Sequence, residues 1–453
     1  MTANLSTFSN KRLGVHYFPD TSHYQQSDLQ NWLPELKYLG ASWLTLVAPS
    51  DHAIPEQFIN GLMAEGIQPI LHFQLPLEHP ESLETLKLLF QTYAKWGVQY
   101  IILFDRPNIR SAWASTTWAQ SDLVERFLDI YLPLADIILQ TGLIPVFPPL
   151  EPGGDYWDTA FLRAALQSMQ RRGQTHLLET LILSANAWVD SRPLDWGAGG
   201  PERWPNARPY RTPVDHQDQR GFYIFDWYLA ISQSVLGNPL PVILVGAGSR
   251  LTLTNDAEKN QLATENHAKR NLLLVQRLYN NKEQTQVPFS LEPISPMVMA
   301  CNFWLLVAEP NNQHATQAWF LSDGSTLPIV EALKDWGAQR HSQNWSRPIT
   351  HPQQFDTLQP ESVEPSIDHY LLLPLYEWGV AEWQLEAIRP FVTKYRPTVG
   401  FSLNEASRAS RVTVIGGKQS YPEGSIDKLH EAGCAVEQIT GDGTSIATQL
   451  ATL

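Results

Sequence analysis

Carboxylates follow two apolar runs that the sequence predicts as neighbouring β-strands. Asp105 comes directly after the run Tyr100–Phe104, and Glu151 follows the run Leu143–Phe147 in the loop VFPPLEPGGDYWD. Because paired strands lie about 5 Å apart, Asp105 and Glu151 are placed to face each other across one site. Two carboxyl groups in that arrangement can act as a general acid and a general base. We therefore predict Asp105 and Glu151 as candidate catalytic residues.

A purely structural interpretation of these carboxylates stays open. Asp105 could pair with Arg106 or Arg110, and Glu151 could cap its own loop, since carboxylates are common at protein surfaces. Arg106 itself cannot serve as a general acid near neutral pH, because a guanidinium has a pKa above about 12. In this interpretation the charged residues stabilise loops and carry no chemistry.

Aromatic and polar side chains follow the other apolar runs in the same way. When parallel strands form a barrel, their carboxyl ends meet at one face, and such proteins place their sites there. The sequence therefore predicts one concave pocket that is both polar and aromatic. The residues predicted to bind a ligand in it are His16, Tyr17, His72, Arg106, Asn108, Asn186, Trp188, Trp196, Trp204, Tyr210, Trp304 and Glu309.

The segment after the sixth apolar run, VDSRPLDWGAGGPERWPNARPYRTPVDHQDQRG, is long for a strand-to-helix connection. Such connections usually have about 2–6 residues, and longer ones are often functional lids. It carries Trp196, Trp204 and Tyr210 among glycines and prolines. These aromatic residues could contact a ligand. Alternatively, they could be buried against a second subunit, which would make the protein a homo-oligomer.

Apolar runs alternate with amphipathic stretches through residues 1–340. Eight such units predict a (β/α)8 TIM barrel. An open doubly wound sheet is the alternative, but the sequence has no Gly-rich phosphate loop. The predicted strands are Leu13–Phe18, Trp43–Val47, Gln68–Phe73, Tyr100–Phe104, Leu143–Phe147, Leu178–Ser184, Pro241–Val245 and Met297–Leu305.

The rest of the chain predicts a second, smaller domain. Residues 341–366 are polar and proline-rich, which is typical of a linker. Residues 367–453 contain four further apolar runs that alternate with helical patterns, so we predict a small parallel α/β domain. The predicted strands here are His369–Leu375, Thr398–Ser402, Arg411–Ile415 and Ala435–Ile439.

Composition limits the choice of partners. The chain has 453 residues and a formal net charge of −14, which argues against nucleic acid as a partner. No apolar run reaches the roughly 18 residues needed to span a membrane. The N-terminus lacks the apolar region of a signal peptide, so we expect a cytoplasmic location, with export by another route left open. No metal-binding or nucleotide motif is present, and we expect no metal and no cofactor.

The strand ending FDRPN resembles the Asn-Glu-Pro-Asn that closes strand 4 in clan A glycoside hydrolases, a family of (β/α)8 barrels. In this family the Glu is the general acid/base. Trp304 stands where these enzymes often carry a platform tryptophan. The resemblance covers residues 12–340 loosely, and it implies a carbohydrate ligand, either an oligosaccharide or a polysaccharide.

The chain departs from this family at both catalytic positions. Asp105 stands at the Asn position and Arg106 at the Glu position, and the seventh predicted strand ends in VGAGS without a carboxylate. Since glycoside hydrolysis needs two carboxyl groups, we predict carbohydrate binding without turnover. The alternatives are an active glycosidase that uses Asp105 and Glu151, and a structural or assembly protein that uses the aromatic strand-6 loop as an interface.

The C-terminal segment RVTVIGGKQSYPEGSIDKLHEAGCAVEQITGDGTSIATQLA is similar to one bacterial cell-wall-binding repeat. The similarity lies in the VIGG strand end, a helix that ends in Ala-Gly, and a second strand that ends before a glycine. It implies a bacterial protein. A generic β-α-β unit explains the same pattern.

Overall fold

The computed structural model describes residues 11–78, 82–279, 292–340, 367–374, 382–417, 420–421, 424–441 and 443–452. The predicted linker, residues 341–366, lies outside this part of the chain. Within it, no helix has the length and apolar character needed to cross a membrane.

The first sheet has eight parallel strands in the order 5-4-3-2-1-8-7-6. It closes between its outer strands, where the Phe147 N–H donates to the Ile182 carbonyl over 2.8 Å and Val146 forms a parallel bridge with Ile182. The strands are β1 Leu13–His16, β2 Trp43–Val47, β3 Gln68–Phe73, β4 Tyr100–Leu103, β5 Ile144–Val146, β6 Leu183–Trp188, β7 Val242–Gly248 and β8 Val298–Phe303.

Helices follow the strands and surround the sheet, so the first part of the chain is a TIM barrel. Local signals set several helix ends. Ser82 Oγ accepts a hydrogen bond from the Thr85 N–H over 3.2 Å at the start of the helix Leu83–Lys95. Gly40, at φ 74°, ends the helix Gln26–Leu39. The helices are α1 Gln26–Leu39, α2 Glu56–Ala64, α3 Leu83–Lys95, α4 Ser115–Trp118, α5 Leu123–Gln140, α6 Asp158–Arg171, α7 Thr175–Thr180, α8 Gly200–Arg203, α9 Ile224–Leu236, α10 Ala257–Tyr279 and α11 Pro328–Arg340.

Two apolar layers hold the barrel together. The larger one lies between the strands and the helices, where residues such as Leu71, Phe90 and Phe127 are completely buried. The smaller one fills the interior of the barrel, and its members are Trp43, Ile70, Tyr100, Ile102, Val146, Ile182, Ile243, Val245, Met299 and Ala300. The barrel interior is therefore a packed core, and open space begins only beyond the strand ends.

A small parallel α/β domain follows the barrel. Its four-stranded sheet has the order 10-9-11-12, and apolar clusters cover both of its faces. Its elements are β9 Ile367–Leu372, α12 Glu382–Tyr395, β10 Thr398–Gly400, α13 Leu403–Ala406, β11 Ala409–Ile415, α14 Ser425–Glu431, β12 Ala435–Ile439 and α15 Gly443–Thr452.

Backbone hydrogen bonds join this domain to the loop that follows β2. The Ala53 N–H donates to the Val399 carbonyl over 3.4 Å, and the Phe401 N–H donates to the Asp51 carbonyl over 3.2 Å. Leu88 of α3 also packs against the apolar cluster on one face of the small sheet. The second domain thus contacts the loop at the carboxyl end of β2.

The sixth strand differs from its predicted position. The sequence predicts a strand over Leu178–Ser184, whereas residues Thr175–Thr180 form α7 and β6 covers Leu183–Trp188. Apolar residues stand on both sides of this boundary, at Leu177–Leu178 and at Leu181–Leu183, and short apolar runs fit a buried helical turn and a buried strand equally well. The shift places Asn186 and Trp188 within the strand itself.

Candidate functional site

A cavity of about 280 Å³, the mouth cavity, opens at the carboxyl ends of the barrel strands. Residues of β1, β3, β6 and β7 line it, together with the loops after β1, β3, β4, β5, β7 and β8. The lining residues are His16, Pro19, His72, Gln74, Asp105, Arg106, Pro149, Glu151, Asn186, Trp188, Val245, Gly246, Arg250, Trp304, Asn312, Gln313, His314 and Gln317.

The Arg106 guanidinium lies between the only two carboxylates among these lining residues. Its Nε contacts Asp105 Oδ2 at 2.8 Å, and its Nη1 contacts Glu151 Oε2 at 3.5 Å. Burial alone would lower the pKa of Arg106, but the ion pairs with Asp105 and Glu151 outweigh it and raise the pKa. Arg106 is therefore a permanent cation in the mouth cavity.

The backbone around Arg106 adopts an uncommon conformation. Phe104 and Arg106 have φ values of 65° and 44°, in the left-handed region that non-glycine residues rarely occupy. The Arg106 N–H donates to the Pro149 carbonyl over 3.0 Å, which ties this turn to the loop after β5. The turn directs the Arg106 side chain toward Glu151 on that same loop.

Asn108 holds the loops after β4 and β5 together. Its Nδ2 donates to the carbonyls of Glu151 and Tyr156, each over 2.9 Å, and its Oδ1 accepts from the Glu151 N–H over 2.8 Å. The Asn108 side chain is completely buried. It therefore positions Glu151 and does not reach the mouth cavity, in contrast to its predicted role as a ligand-binding residue.

Three imidazoles line the mouth cavity in the neutral form. Burial lowers the pKa of His16 to about 3, and burial likewise lowers the pKa values of His72 and His314. His72 Nε2 donates to the Phe104 carbonyl over 2.8 Å, which leaves its Nδ1 as an acceptor. Neutral imidazoles of this kind can exchange hydrogen bonds with hydroxyl groups without adding charge to the site.

Trp304 is the centre of the aromatic part of the cavity. Its ring lies 4.7 Å from the His16 ring, 6.0 Å from the Trp188 ring and 5.0 Å from the His314 ring, measured between centroids. Its Nε1 donates to Gln317 Oε1 over 2.9 Å. Trp304 is only partly buried, so an apolar ring face next to hydrogen-bonding groups is available at the mouth.

Trp188 fills the space beside the end of β7. Arg250 lies over its ring at 4.4 Å and makes two hydrogen bonds to Asp190, of 3.0 and 2.8 Å. A Cβ atom added to Gly246 would lie 2.4 Å from Trp188 Cη2. No side chain, and therefore no carboxylate, fits at position 246 unless Trp188 moves.

The structure brings eight of the predicted site residues together in the mouth cavity, namely His16, His72, Asp105, Arg106, Glu151, Asn186, Trp188 and Trp304. Tyr17 and Glu309, like Asn108, lie outside the cavity, where they contact other residues. Tyr17 points into the core, where its ring lies 5.7 Å from that of Phe58. Glu309 pairs with His23 Nε2 at 2.6 Å and does not reach Arg106.

The three aromatic residues of the strand-6 loop also lie outside the mouth cavity. Trp196 Nε1 donates to Asp218 Oδ1 over 3.0 Å, and Trp204 Nε1 donates to the Ala198 carbonyl over 2.9 Å. The Tyr210 hydroxyl accepts from the Trp157 N–H over 2.8 Å. Two of these residues hold turns of the loop together, and the third ties the loop to the residue before α6. No residue of the loop lines the mouth cavity, so the loop does not form a lid over it.

Sequence reasoning did not identify several residues of the cavity wall. Arg250 comes two residues after the end of β7, and the rule that strand ends carry site residues could have included it. His314 and Gln317 belong to the loop after β8, and their local sequence gives no signal of that placement. Among the described residues, no group of three or more His, Cys, Asp or Glu could hold a metal ion.

No family model matches the sequence, and no curated protein matches it. Solved structures match its fold at low identity. An endo-beta-1,3-glucanase of family GH128 from Sorangium cellulosum matches at 11% identity and TM-score 0.39, over 71% of this chain and 97% of that one. Saccharomyces cerevisiae Gas2p, in complex with laminaritetraose and laminaripentaose, matches at 12% identity and TM-score 0.41, over 85% of this chain and 78% of that one. Yersinia pestis dihydropteroate synthase matches at 11% identity and TM-score 0.30, over 74% of this chain and 94% of that one. Values this low do not indicate function.

Proposed function

We propose that the protein binds an oligosaccharide in the mouth cavity and does not hydrolyse it. The observation that carries the second half of this proposal is the Arg106 guanidinium between Asp105 and Glu151. A glycosidase needs one protonated carboxyl group to protonate the leaving oxygen. Here both carboxylates of the cavity accept hydrogen bonds from the same Arg106 guanidinium, and a side chain at position 246 would clash with Trp188.

The composition of the cavity supports a sugar as the ligand. A pyranose ring presents apolar C–H faces and a rim of hydroxyl groups, so it fits a site with aromatic faces and neutral hydrogen-bonding groups. Trp304 supplies such a face. His16 and Asn186 supply neutral polar atoms nearby, and Arg106 with its carboxylates supplies charged ones. The resemblance of FDRPN and Trp304 to clan A glycoside hydrolases favours the same class of ligand.

A tryptophan-fluorescence titration with a panel of neutral and acidic oligosaccharides, run beside chromogenic aryl glycosides, tests this proposal. We expect saturable binding without turnover. Trp304→Ala should weaken binding by about tenfold or more, as expected for an aromatic anchor. Tyr210→Ala is the matched control, because Tyr210 is an exposed aromatic residue outside the mouth cavity. Equal losses in both variants, or no binding of any sugar, would overturn the proposal.

An active glycosidase that uses Asp105 and Glu151 is the second candidate. Both carboxylates contact one guanidinium, so their nearest oxygens lie at most about 9 Å apart, below the upper limit of about 9.5 Å for glycosidase carboxyl pairs. This candidate predicts turnover that Asp105→Asn and Glu151→Gln abolish. Turnover with that sensitivity would replace the non-catalytic proposal.

An assembly role through the strand-6 loop is the third candidate. Val214 is completely exposed and Tyr210 is 62% exposed, and exposed apolar residues on one loop can mark an interface. The molar mass in solution, measured by light scattering for the natural chain and for Val214→Asp, tests it. A cytoplasmic location, a bacterial source and a cell-wall-binding role of the C-terminal segment stay predictions from the sequence.

A further inference from the structure

A second cavity of about 1000 Å³, the α10 cavity, lies between α10 and the loops after β6 and β7. Asn266, His267, Lys269 and Arg270 line it from α10, and Asp195 lines it from the strand-6 loop. Its volume is at the upper end of the range of small-molecule sites, about 300–1,000 Å³. The mouth cavity, at about 280 Å³, has room for only part of an oligosaccharide.

The two cavities share part of their walls. Arg250 and Gln317 line both of them. Each of these side chains also contacts a tryptophan of the mouth, because Arg250 lies over Trp188 and Gln317 accepts from Trp304 Nε1. A ligand chain that stacks on Trp304 could therefore continue past Gln317 into the α10 cavity.

The wall of the α10 cavity has three cationic residues and two carboxylates. In the described part of the chain, no carboxylate lies within ion-pairing distance of Lys269 or Arg270, and Arg250 is already paired with Asp190. The Arg270 Nη2 donates to the Arg192 carbonyl, which fixes the guanidinium at the wall. Asp195 is the remaining carboxylate of the wall, so the cations exceed the anions by one. This local excess contrasts with the net charge of −14 for the whole chain.

His267 adds unused polar atoms to the same wall. It is 2% exposed, and neither of its ring nitrogens has a hydrogen-bond partner among the described residues. The same holds for the Nε of Arg270. Buried polar atoms without partners are destabilising, and a polar ligand in the cavity, after a small movement of these side chains, would give them partners.

We propose that the α10 cavity binds the acidic portion of an anionic oligosaccharide whose neutral portion occupies the mouth cavity. The proposal rests on the proposed function, and it adds the substrate class: sugars that carry carboxylate or sulfate groups. Lys269 and Arg270 bind the anionic group, because a guanidinium donates two parallel hydrogen bonds to a carboxylate or sulfate. The wall residues Asn266 and His267 bind its hydroxyl groups.

Isothermal titration calorimetry with three sets of oligosaccharides of equal length tests this proposal: neutral glucans, uronic acid oligomers and sulfated oligomers. At least one anionic set should bind about tenfold or more tightly than the neutral set, and rising salt should reduce this preference. Arg270→Gln and Lys269→Gln should each remove most of the preference, and Arg270→Lys should retain part of it. Lys259→Gln is the matched control, since Lys259 is an exposed residue of α10 outside the cavity.

The outcomes separate this proposal from the proposed function. If neutral and anionic sugars bind equally well and Arg270→Gln changes neither affinity, the proposal of an acidic ligand is overturned. Sugar binding in the mouth cavity is then still supported. If Arg270→Gln weakens the binding of anionic sugars and Trp304→Ala does not, the result supports binding in the α10 cavity and overturns binding in the mouth cavity. Absence of binding by any set overturns both, and a difference between the uronic and sulfated sets identifies the anionic group.

Discussion

Replacement of Arg106 tests whether its two ion pairs hold the loops after β4 and β5 as the structure indicates. Arg106→Gln keeps the backbone hydrogen bond to Pro149 but removes the contacts to Asp105 and Glu151. The three charged side chains are 43%, 26% and 33% exposed. Ion pairs with this much solvent contact contribute about 0.2–1 kcal/mol each. We therefore expect a loss of about 1 kcal/mol in the free energy of unfolding.

A second substitution at the same position separates the side chain from the backbone. Arg106→Gly loses the same ion pairs, but it relieves the left-handed conformation at φ 44°. A non-glycine residue in that region is disfavoured by about 1–2 kcal/mol. The Gly variant should therefore be close to the natural protein in stability and more stable than the Gln variant.

Urea denaturation of the three proteins, at low salt and at about 0.5 M salt, measures both effects. Salt screens half-exposed ion pairs, so the difference between the natural protein and the Gln variant should shrink at high salt. The difference in the free energy of unfolding between the Gly and Gln variants should persist, because backbone strain does not depend on salt. A Gln variant as stable as the natural protein at low salt would refute the view that these pairs fix Arg106 in the site.

Three further predictions concern buried positions. Burial lowers the pKa of His267 to about 4, so the unfolded chain takes up a proton below pH ~6.5 before the folded one does, and acidification from pH ~6.5 toward 4 costs stability. Over that range His267 lowers the free energy of unfolding by about 1.4 kcal/mol per pH unit, and His267→Leu should remove this loss. Urea denaturation at several pH values measures it. Asn108→Ala should destabilise the fold by about 2–4 kcal/mol, because buried backbone groups of Glu151 lose their partners, and it should also weaken sugar binding. Gly246→Ala should cost about 1–3 kcal/mol through its clash with Trp188, whereas Gly417→Ala, with no atom within 4 Å of its added Cβ, should be almost neutral.

Alternation of apolar runs with amphipathic stretches was enough to predict the barrel, since each run is buried on both faces and ends in polar residues. The (β/α)8 barrel with a small α/β domain after it is the architecture that the structure has. The convergence of His16, Asp105 and Trp304 follows from the same rule, because parallel strands place their carboxyl ends together. The strand-6 boundary was wrong, because an apolar run alone does not distinguish a helical turn from a strand.

Side-chain direction and loop packing were beyond the reach of sequence reasoning. His16 and Tyr17 are adjacent, yet one lines the mouth cavity and the other lies in the core, since successive side chains of an extended chain point to opposite sides. Trp204 Nε1 finds its hydrogen-bond partner within the strand-6 loop, whereas the Tyr210 hydroxyl pairs with Trp157 at the start of α6. These pairings depend on how the loop folds back on itself and on its neighbours, which no local sequence pattern records.

The attachment of the small domain to the loop after β2 determines how the mouth can be approached. None of the residues that line the mouth cavity comes from β2 or its loop, and Asp51 and Ala53 of that loop hydrogen-bond to the strand and loop around Val399. One sector of the barrel rim is therefore shielded by protein. A long polysaccharide could not lie straight across the barrel through this sector. The side of α10, where Arg250 and Gln317 line both cavities, offers a path for such a chain, and the mouth could otherwise take a chain end.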